Sequence, residues 1–189
     1  MWTNREWIPL EGIDAADKTF RITTRQDIDT LAASMADIGL LQKPLTIPKS
    51  EGFQIISGFR RIAAARRLGW KGLTANIAAP QTAVLDCIKA AVAENAFSRP
   101  LNVIELSRAY SLMAHHVDEP ARLAEMGGGL NLPNHPSYIA KLLDLATLSE
   151  DIQSAVLHKA IGLPIALEMG SRDRKSTRLN SRSLLIISY

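Results

Sequence analysis

The sequence predicts an α+β fold, with a small α/β domain over residues 1–80 and an all-α domain over residues 81–170. Three observations support this prediction. Short β-type runs alternate with helical runs in the first 80 residues. Beyond Pro80, apolar residues recur at helical spacing almost everywhere. The apolar fraction of 47% and the charged fraction of 22% are typical of a folded chain with a hydrophobic core.

The α/β domain is predicted to begin with an extended segment and a helix. Trp7–Ile13 is expected to form a strand at the edge of a sheet, because Pro9 lacks the N–H that a central strand needs. Thr24 and Asp27 resemble a capping box, so the helix is predicted to begin there. Gly39 lies where a C-terminal cap belongs and is predicted to end the helix.

A hairpin, a second helix and a further strand are predicted next. Leu45–Ile47 and Phe53–Ile56 flank a turn-rich link of five residues, which is the pattern of a β-hairpin. An alanine-rich helix follows directly, between Gly58 and Gly69. Leu73–Ile77 is predicted to add another strand, which completes a compact α/β unit.

The second half of the chain is predicted to contain five helices. Asn102 and Glu105 fit a capping box at the start of the second helix. The triple glycine Gly127–Gly129 is expected to end the third helix. The five helices are predicted at about 84–92, 102–117, 119–126, 137–145 and 147–160.

The junction at Gly58 carries the strongest local signal for binding. The N-terminus of a helix exposes N–H groups and the positive end of the helix dipole, and both favour an anion. Arg60 and Arg61 lie in this first turn, where the dipole disfavours cations unless an anion offsets them. Guanidinium groups also bind phosphate oxygens in pairs. The pattern fits either an anion-binding site or a solvated arginine face.

Three sequence boxes occur in the order found in the ParB partition proteins. Ile55–Ala64 resembles the GERRxRA box of that family. Leu31–Leu45 resembles its LaxSI…GLLQP box, and Glu94–Glu105 resembles its ENxxRxxLNPxE box. The resemblance to a ParB-like protein extends from about Trp7 to Met169.

This resemblance implies a mixed sheet in the first domain and a nucleotide pocket lined by the three boxes. The pocket of the family binds CTP with Mg²⁺, and nucleotide binding closes a homodimer into a clamp on double-stranded DNA. The resemblance thus implies a cytoplasmic protein of plasmid or chromosome segregation, associated with the nucleoid or a plasmid, with a partition ATPase as a candidate partner. Carried over by position, the nucleotide-binding residues are Gly39, Gln42, Ser57, Gly58, Arg60 and Arg61, and the metal-binding residues are Glu94 and Asn95.

Three positions depart from the family pattern. Lys43 replaces or interrupts the proline that usually follows the glutamine of the first box. Phe59 stands where the family often has a glutamate implicated in nucleotide hydrolysis. A phenyl ring can neither activate water nor accept a proton, so we expect at most weak CTP hydrolysis. Arg99 falls one position later than the third box predicts.

The resemblance also implies a helix-turn-helix, formed by the helices at 119–126 and 137–145. Ser137, Tyr138 and Lys141 are its expected DNA contacts. The predicted turn of about ten residues is longer than the three or four of a standard motif. Residues 81–170 carry six basic and ten acidic groups, which is few cations for DNA binding. Two other functions stay open, namely a ParB-like metal-dependent nuclease and a nucleotide-independent transcriptional regulator.

The basic excess behind the net charge of +3 lies in residues 1–80 and in the C-terminal tail. Residues 171–189 hold five basic groups and one acid, and they are predicted to be disordered. This tail is either an authentic basic arm for DNA or an artefact, since it resembles translated sequencing-adapter sequence. No run of about 18 apolar residues occurs, so no membrane association is expected. The single cysteine, Cys87, is expected to be a buried small hydrophobic residue.

Overall fold

The computed structural model describes residues 2–14 and 16–172. The chain divides into two compact units, the first ending at Pro100 and the second beginning at Leu101. The first unit therefore includes the helix that follows Pro80. The tail predicted to be disordered covers residues 171–189. Its first two residues, 171 and 172, are helical, which contradicts the prediction there, and residues from position 173 onward lie outside the described part of the chain.

A four-stranded mixed sheet forms the centre of the first unit. Its strands are β1 (Trp2–Pro9), β2 (Leu45–Lys49), β3 (Gly52–Ser57) and β4 (Gly72–Ala78), in the order β1-β4-β2-β3. The pairs β1–β4 and β2–β3 are antiparallel, whereas β2 and β4 run parallel. The predicted hairpin and the edge position of the first strand are confirmed. The bounds Trp7–Ile13 predicted for that strand are wrong, because it ends at Pro9 and Leu10–Gly12 forms a 3₁₀ turn.

Three α-helices and one short 3₁₀ turn complete the first unit. They are the 3₁₀ turn Leu10–Gly12, α1 (Asp29–Ile38), α2 (Phe59–Arg67) and α3 (Val84–Ala96). Isoleucine and alanine side chains of α2, Ile62, Ala64 and Ala65, are buried in the core cluster that also contains the strand residues Ile55 and Leu73. Cys87 on α3 is buried as expected, and this burial raises the pKa of its thiol.

The capping box predicted at Thr24 and Asp27 is wrong. Helix α1 begins only at Asp29, and its N-cap residue is Ile28, so Thr24 does not cap it. The Asp27 carboxylate accepts from the N–H of Thr30 at 3.5 Å, but no capping box forms. The preceding segment carries the buried side chains of Phe20 and Ile22, and the chain is not helical through this stretch. The end of α1 is as predicted, because Gly39 adopts φ 77° and its N–H donates to the carbonyl of Met35 at 3.0 Å.

The second unit is helical. Its helices are α4 (Val103–Ala114), α5 (Pro120–Gly129), α6 (Pro136–Ala146) and α7 (Glu150–Leu157), and residues 163–172 are also helical. The capping box of α4 is confirmed, since Asn102 accepts from the N–H of Glu105 and Glu105 accepts from the N–H of Asn102. None of the described helices is long and apolar enough to cross a membrane.

The triple glycine does not end α5 as the sequence suggested. The helix continues to Gly129, and the chain turns at Asn131, which has φ 59°. The glycine at position 127 serves packing instead, because a Cβ there would lie 2.0 Å from the hydroxyl of Tyr110. Tyr110 is fully buried, and burial raises its pKa to about 12. The turn between α5 and α6 is therefore six residues long rather than about ten.

Candidate functional site

A single glycine links the last residue of β3 to the first residue of α2. Gly58 has φ 96°, a region that side-chain-bearing residues rarely adopt. A Cβ at this position would also lie 2.6 Å from Cβ of Pro44 and 2.8 Å from its Cα. Glycine therefore lets the N-terminus of α2 lie directly against the chain that enters β2.

The N-terminus of α2 borders a cavity of about 320 Å³ within the first unit, which we call the arginine pocket. Four arginines and one carboxylate line it, so positive charge predominates. Apolar side chains from α1, β3, α2 and the segment before α1 form much of the remaining wall, together with four uncharged polar side chains. The lining residues are Phe20, Ile22, Thr23, Arg25, Leu31, Gln42, Ile56, Gly58, Phe59, Arg60, Arg61, Glu94, Asn95, Ser98 and Arg99.

Two of the arginines are held by backbone carbonyls. Arg60 donates from Nε to the carbonyl of Asp27 at 3.0 Å, and its Nη2 donates to the same oxygen. Arg61 donates from Nη1 to the carbonyls of Gln42 and Lys43, each at 3.2 Å. These bonds fix both guanidinium groups beside the first turn of α2.

Arg61 also forms an ion pair with Glu94 of α3 through Nη2 and Oε1. The Arg61 side chain is only 16% exposed, so solvent screens its charge little. The paired carboxylate of Glu94 compensates most of that charge. Arg25, in contrast, is exposed and has no side-chain hydrogen bond or ion pair within residues 2–14 and 16–172. Arg25 thus offers an uncompensated charge to the pocket.

The first turn of α2 offers further donors. No side chain caps its N–H groups in the described part of the chain, and no acid lies in that turn. Uncapped N–H groups and the helix dipole together favour an anion by about 0.3–2 kcal/mol. The arginine pocket can therefore bind an anionic group at its basic side and an apolar or planar group against Phe59 and Ile56.

Glu94 and Asn95 supply oxygen atoms at the same pocket. Asn95 donates from Nδ2 to the carbonyl of Ala91 at 2.9 Å, which leaves its side-chain oxygen available as an acceptor. A carboxylate and an amide oxygen are hard ligands, and Mg²⁺ typically takes one or two carboxylates together with phosphate and water. The residues present fit a magnesium ion that arrives with a phosphorylated ligand.

Comparison with known proteins places these features in a family. The family model of the ParB N-terminal domain matches residues 4–96. The chain belongs to the ParB-like family. A nucleoid occlusion protein of Bacillus cereus (strain B4264) is 34% identical over 141 residues, which cover 71% of this chain and 44% of that protein. This ParB-like chain thus spans less than half the length of that relative.

Solved structures support the fold of the ParB-like chain. The pNOB8-like ParB N-domain has a TM-score of 0.59 and 15% identity, covering 95% of this chain and 79% of its own. The ParB of Caulobacter crescentus complexed to the centromeric parS site has a TM-score of 0.50 and 24% identity, covering 87% and 84% respectively. At these identities the likeness concerns the fold alone.

Most of the predicted nucleotide and metal residues line the arginine pocket of this ParB-like chain. They are Gln42, Gly58, Arg60, Arg61, Glu94 and Asn95. Gly39 instead ends α1, and Ser57 is buried and lines a neighbouring cavity. Sequence reasoning missed Arg25, because the wrong capping box placed it inside a helix. The third box contains Arg99, but this residue falls one position later than the family pattern predicts. It was therefore not predicted to bind nucleotide.

The predicted DNA contacts lie together on α6 in the second unit. Ser137 and Lys141 are exposed, whereas Tyr138 is half-buried. The hydroxyl of Ser137 is 2.9 Å from Nδ1 of His135, the residue that precedes α6. Lys141 is the one cation on α6, so this helix alone contributes little charge for DNA.

Proposed function

We propose that this chain is a DNA-binding protein of chromosome or plasmid segregation, a dimeric clamp switched by CTP and Mg²⁺ bound in the arginine pocket. The observation that carries the proposal is the convergence of four arginines on the uncapped N-terminus of α2, with a single carboxylate among the lining residues. Such a site suits a polyphosphate, because guanidinium and backbone N–H donors bind phosphate oxygens through charge-assisted hydrogen bonds. The choice of CTP follows the resemblance of the three boxes.

Glu94 has two roles in this proposal. Without ligand it compensates Arg61 through the observed ion pair. With ligand, Glu94 and Asn95 would hold the metal ion, which would supply positive charge to the phosphates. Arg61 then remains beside the phosphates, held by the carbonyls of Gln42 and Lys43.

Phe59 makes the pocket better suited to binding than to hydrolysis. Its half-buried ring lines the pocket and offers no acid or base. Phe59→Glu is expected to raise CTP turnover, because a carboxylate can orient and activate water. A phosphate-release assay measures this, with Phe59→Gln as the control of equal size that cannot accept a proton. Equal turnover in both variants would place the limitation elsewhere.

Calorimetry with CTP and Mg²⁺ tests the pocket itself. We expect Arg60→Ala to abolish binding and Arg25→Ala to weaken it about tenfold or more, since a charged hydrogen bond contributes about 1.5–3 kcal/mol. Arg67→Ala is the matched control, because Arg67 lies on the same helix, is 63% exposed and pairs with Asp29 outside the pocket. The Arg25 side chain forms no hydrogen bond or ion pair with the described residues, so we expect this variant to fold normally and to report on binding alone. Unchanged affinity in both Arg25→Ala and Arg60→Ala would remove the pocket assignment.

The proposed DNA-binding element is a degenerate helix-turn-helix of α5 and α6, with Ser137, Tyr138 and Lys141 facing the DNA. The six-residue turn is shorter than the sequence suggested and is closer to the standard motif. The ParB of Caulobacter crescentus, which has a similar fold, is described in complex with DNA at parS.

Retention of random DNA fragments, followed by sequencing, tests this function. Retention that requires CTP and Mg²⁺ supports the switched clamp. Equal retention without CTP would favour a nucleotide-independent regulator. Plasmid nicking that needs Mg²⁺ alone would favour a nuclease.

A further inference from the structure

A second cavity adjoins the arginine pocket at the Arg61–Glu94 ion pair. It consists of two hollows of about 440 and 470 Å³ in the first unit, which have Arg5, Lys43, Asn76 and Glu94 in common. Asn4 and Ser57 line the second hollow. We call this pair of hollows the β1–β4 cavity, because Arg5 belongs to β1 and Asn76 to β4.

Four polar side chains that line the β1–β4 cavity have no side-chain partner within the part of the chain that the structure describes. Among the described residues, neither Arg5 nor Lys43 forms a side-chain hydrogen bond or ion pair. The side-chain amides of Asn4 and Asn76 have no hydrogen-bond partner in the same set. Two cations and two amides therefore face one cavity without acceptors of their own.

Ser57 adds an independent sign of a missing ligand. It is 2% exposed, and its Oγ forms no hydrogen bond within the described part of the chain. A buried hydroxyl without a partner lowers stability, and nearly all buried polar groups in proteins are satisfied. Ser57 lines the same hollow as Arg5, Lys43 and Asn76, so a ligand oxygen placed there would supply a partner.

The net positive charge of the side chains lining the β1–β4 cavity favours an anionic ligand. The one carboxylate among its lining residues, Glu94, is already paired with Arg61, whereas Arg5 and Lys43 are uncompensated. Two cations, two amides and a hydroxyl offer more donors than the two oxygens of a carboxylate use well. A phosphate group has more acceptor oxygens and binds both guanidinium and ammonium groups.

We propose that the β1–β4 cavity binds a phosphate group at a site separate from the arginine pocket. The site uses residues from β1, the Lys43 segment, the end of β3 and β4, which the sheet brings together. The phosphate comes either from a small phosphorylated molecule or from the backbone of DNA.

Inorganic pyrophosphate is the probe for a small molecule, and the full chain labelled with ¹⁵N is the sample. Pyrophosphate is expected to shift the side-chain amide signals of Asn4 and Asn76. Arg5→Gln and Lys43→Gln should each weaken the affinity measured at these signals about tenfold, because each removes a charged donor. Neither side chain has a partner among the described residues, so we expect unchanged thermal unfolding in both variants.

Arg25→Gln is the matched control, since Arg25 lines the arginine pocket and not the β1–β4 cavity. It should leave the affinity measured at the Asn4 and Asn76 signals unchanged. Loss of CTP binding in Arg25→Gln tests only the proposed nucleotide site. The amide shifts test only the phosphate site, so each proposal can be overturned without the other.

A short DNA duplex forms the second arm of the experiment. Amide shifts with pyrophosphate assign the site to a small phosphorylated ligand. Shifts with the duplex that Arg5→Gln weakens assign it to the nucleic-acid backbone. The proposal is overturned if neither probe shifts the amides, or if the shifts persist undiminished when Arg5 and Lys43 are both replaced.

Discussion

Gly58 is constrained both by its own backbone and by its neighbour. Its φ of 96° disfavours any side chain, and Cα of Pro44 occupies the space a Cβ would need. Sequence reasoning identified this glycine from its place between a strand and an alanine-rich helix whose first turn carries two arginines. The close approach of Pro44 is a tertiary contact, and no local pattern predicts it.

Replacement of Gly58 by alanine should be more costly than replacement of Gly69. Gly69 also has a positive φ, 71°, but no other atom lies within 4 Å of the point where its Cβ would stand. We expect Gly69→Ala to cost about 1–2 kcal/mol for the backbone alone. Gly58→Ala should cost about 1–3 kcal/mol more because of overpacking. Urea denaturation measures both, and equal costs would contradict the role of Pro44.

Glu94 decides how much of the charge of Arg61 the arginine pocket presents. The ion pair between them keeps Arg61 compensated while no ligand is bound. Glu94→Gln should therefore raise the affinity for CTP without metal and remove the dependence on Mg²⁺. Calorimetry with Mg²⁺ and with a chelator measures both effects.

Asp86→Asn provides the control for Glu94→Gln. Asp86 lies on the same helix α3 and pairs with Lys89 at 3.7 Å on the surface, outside the arginine pocket. This variant should leave CTP affinity and its metal dependence unchanged. A Glu94→Gln protein that still requires Mg²⁺ would show that the ion pair does not regulate the pocket.

Sequence patterns correctly predicted those helices and strands whose ends are fixed by contacts between residues close together in the chain. The hairpin and the α4 capping box belong to this group, because Asn102 and Glu105 bond to neighbouring backbone. The start of α1 was mispredicted because burial of Phe20 and Ile22 keeps the preceding chain non-helical. Because burial of Phe20 and Ile22 keeps this segment out of the helix, Arg25 lies in a non-helical stretch that lines the pocket.

The triple glycine of α5 shows how packing overrides a stop signal. Gly127 lies against the buried ring of Tyr110, whereas Gly129 has nothing within 4 Å of an added Cβ. Gly127→Ala should destabilise the protein by about 1–3 kcal/mol through overpacking. Gly129→Ala should stabilise it by up to about 1 kcal/mol, because alanine favours the helix.

Thermal or urea unfolding of the two variants checks these opposite signs. The two glycines lie two positions apart on one helix, so replacing either with alanine should change helix propensity by nearly the same amount. Destabilisation of similar size in both variants would mean that the helix, and not the contact with Tyr110, decides the cost.

For the molecule as a whole, the cavities were the least predictable features. The arginine pocket combines residues from before α1, from α2 and from the end of α3, and the β1–β4 cavity combines β1 with β4. The three sequence boxes predicted only those pocket residues that lie within them, such as Gln42, Arg60 and Glu94. Arg25, Arg5 and Asn76 lie outside those motifs, and only the fold brings them to the cavities.

The charge of the whole chain bears on how it would hold DNA. Residues 81–170 carry six basic and ten acidic groups, so electrostatic binding of DNA by this part should be weak. A closed clamp holds DNA by topology, which salt does not screen. With CTP and Mg²⁺, we therefore expect retention on a circular plasmid to survive raised salt, and linearisation of the plasmid to release the protein. Arg60→Ala, which is expected to abolish CTP binding, is the control that should lose this retention. Equal salt-resistant retention on linear and circular DNA would contradict a clamp.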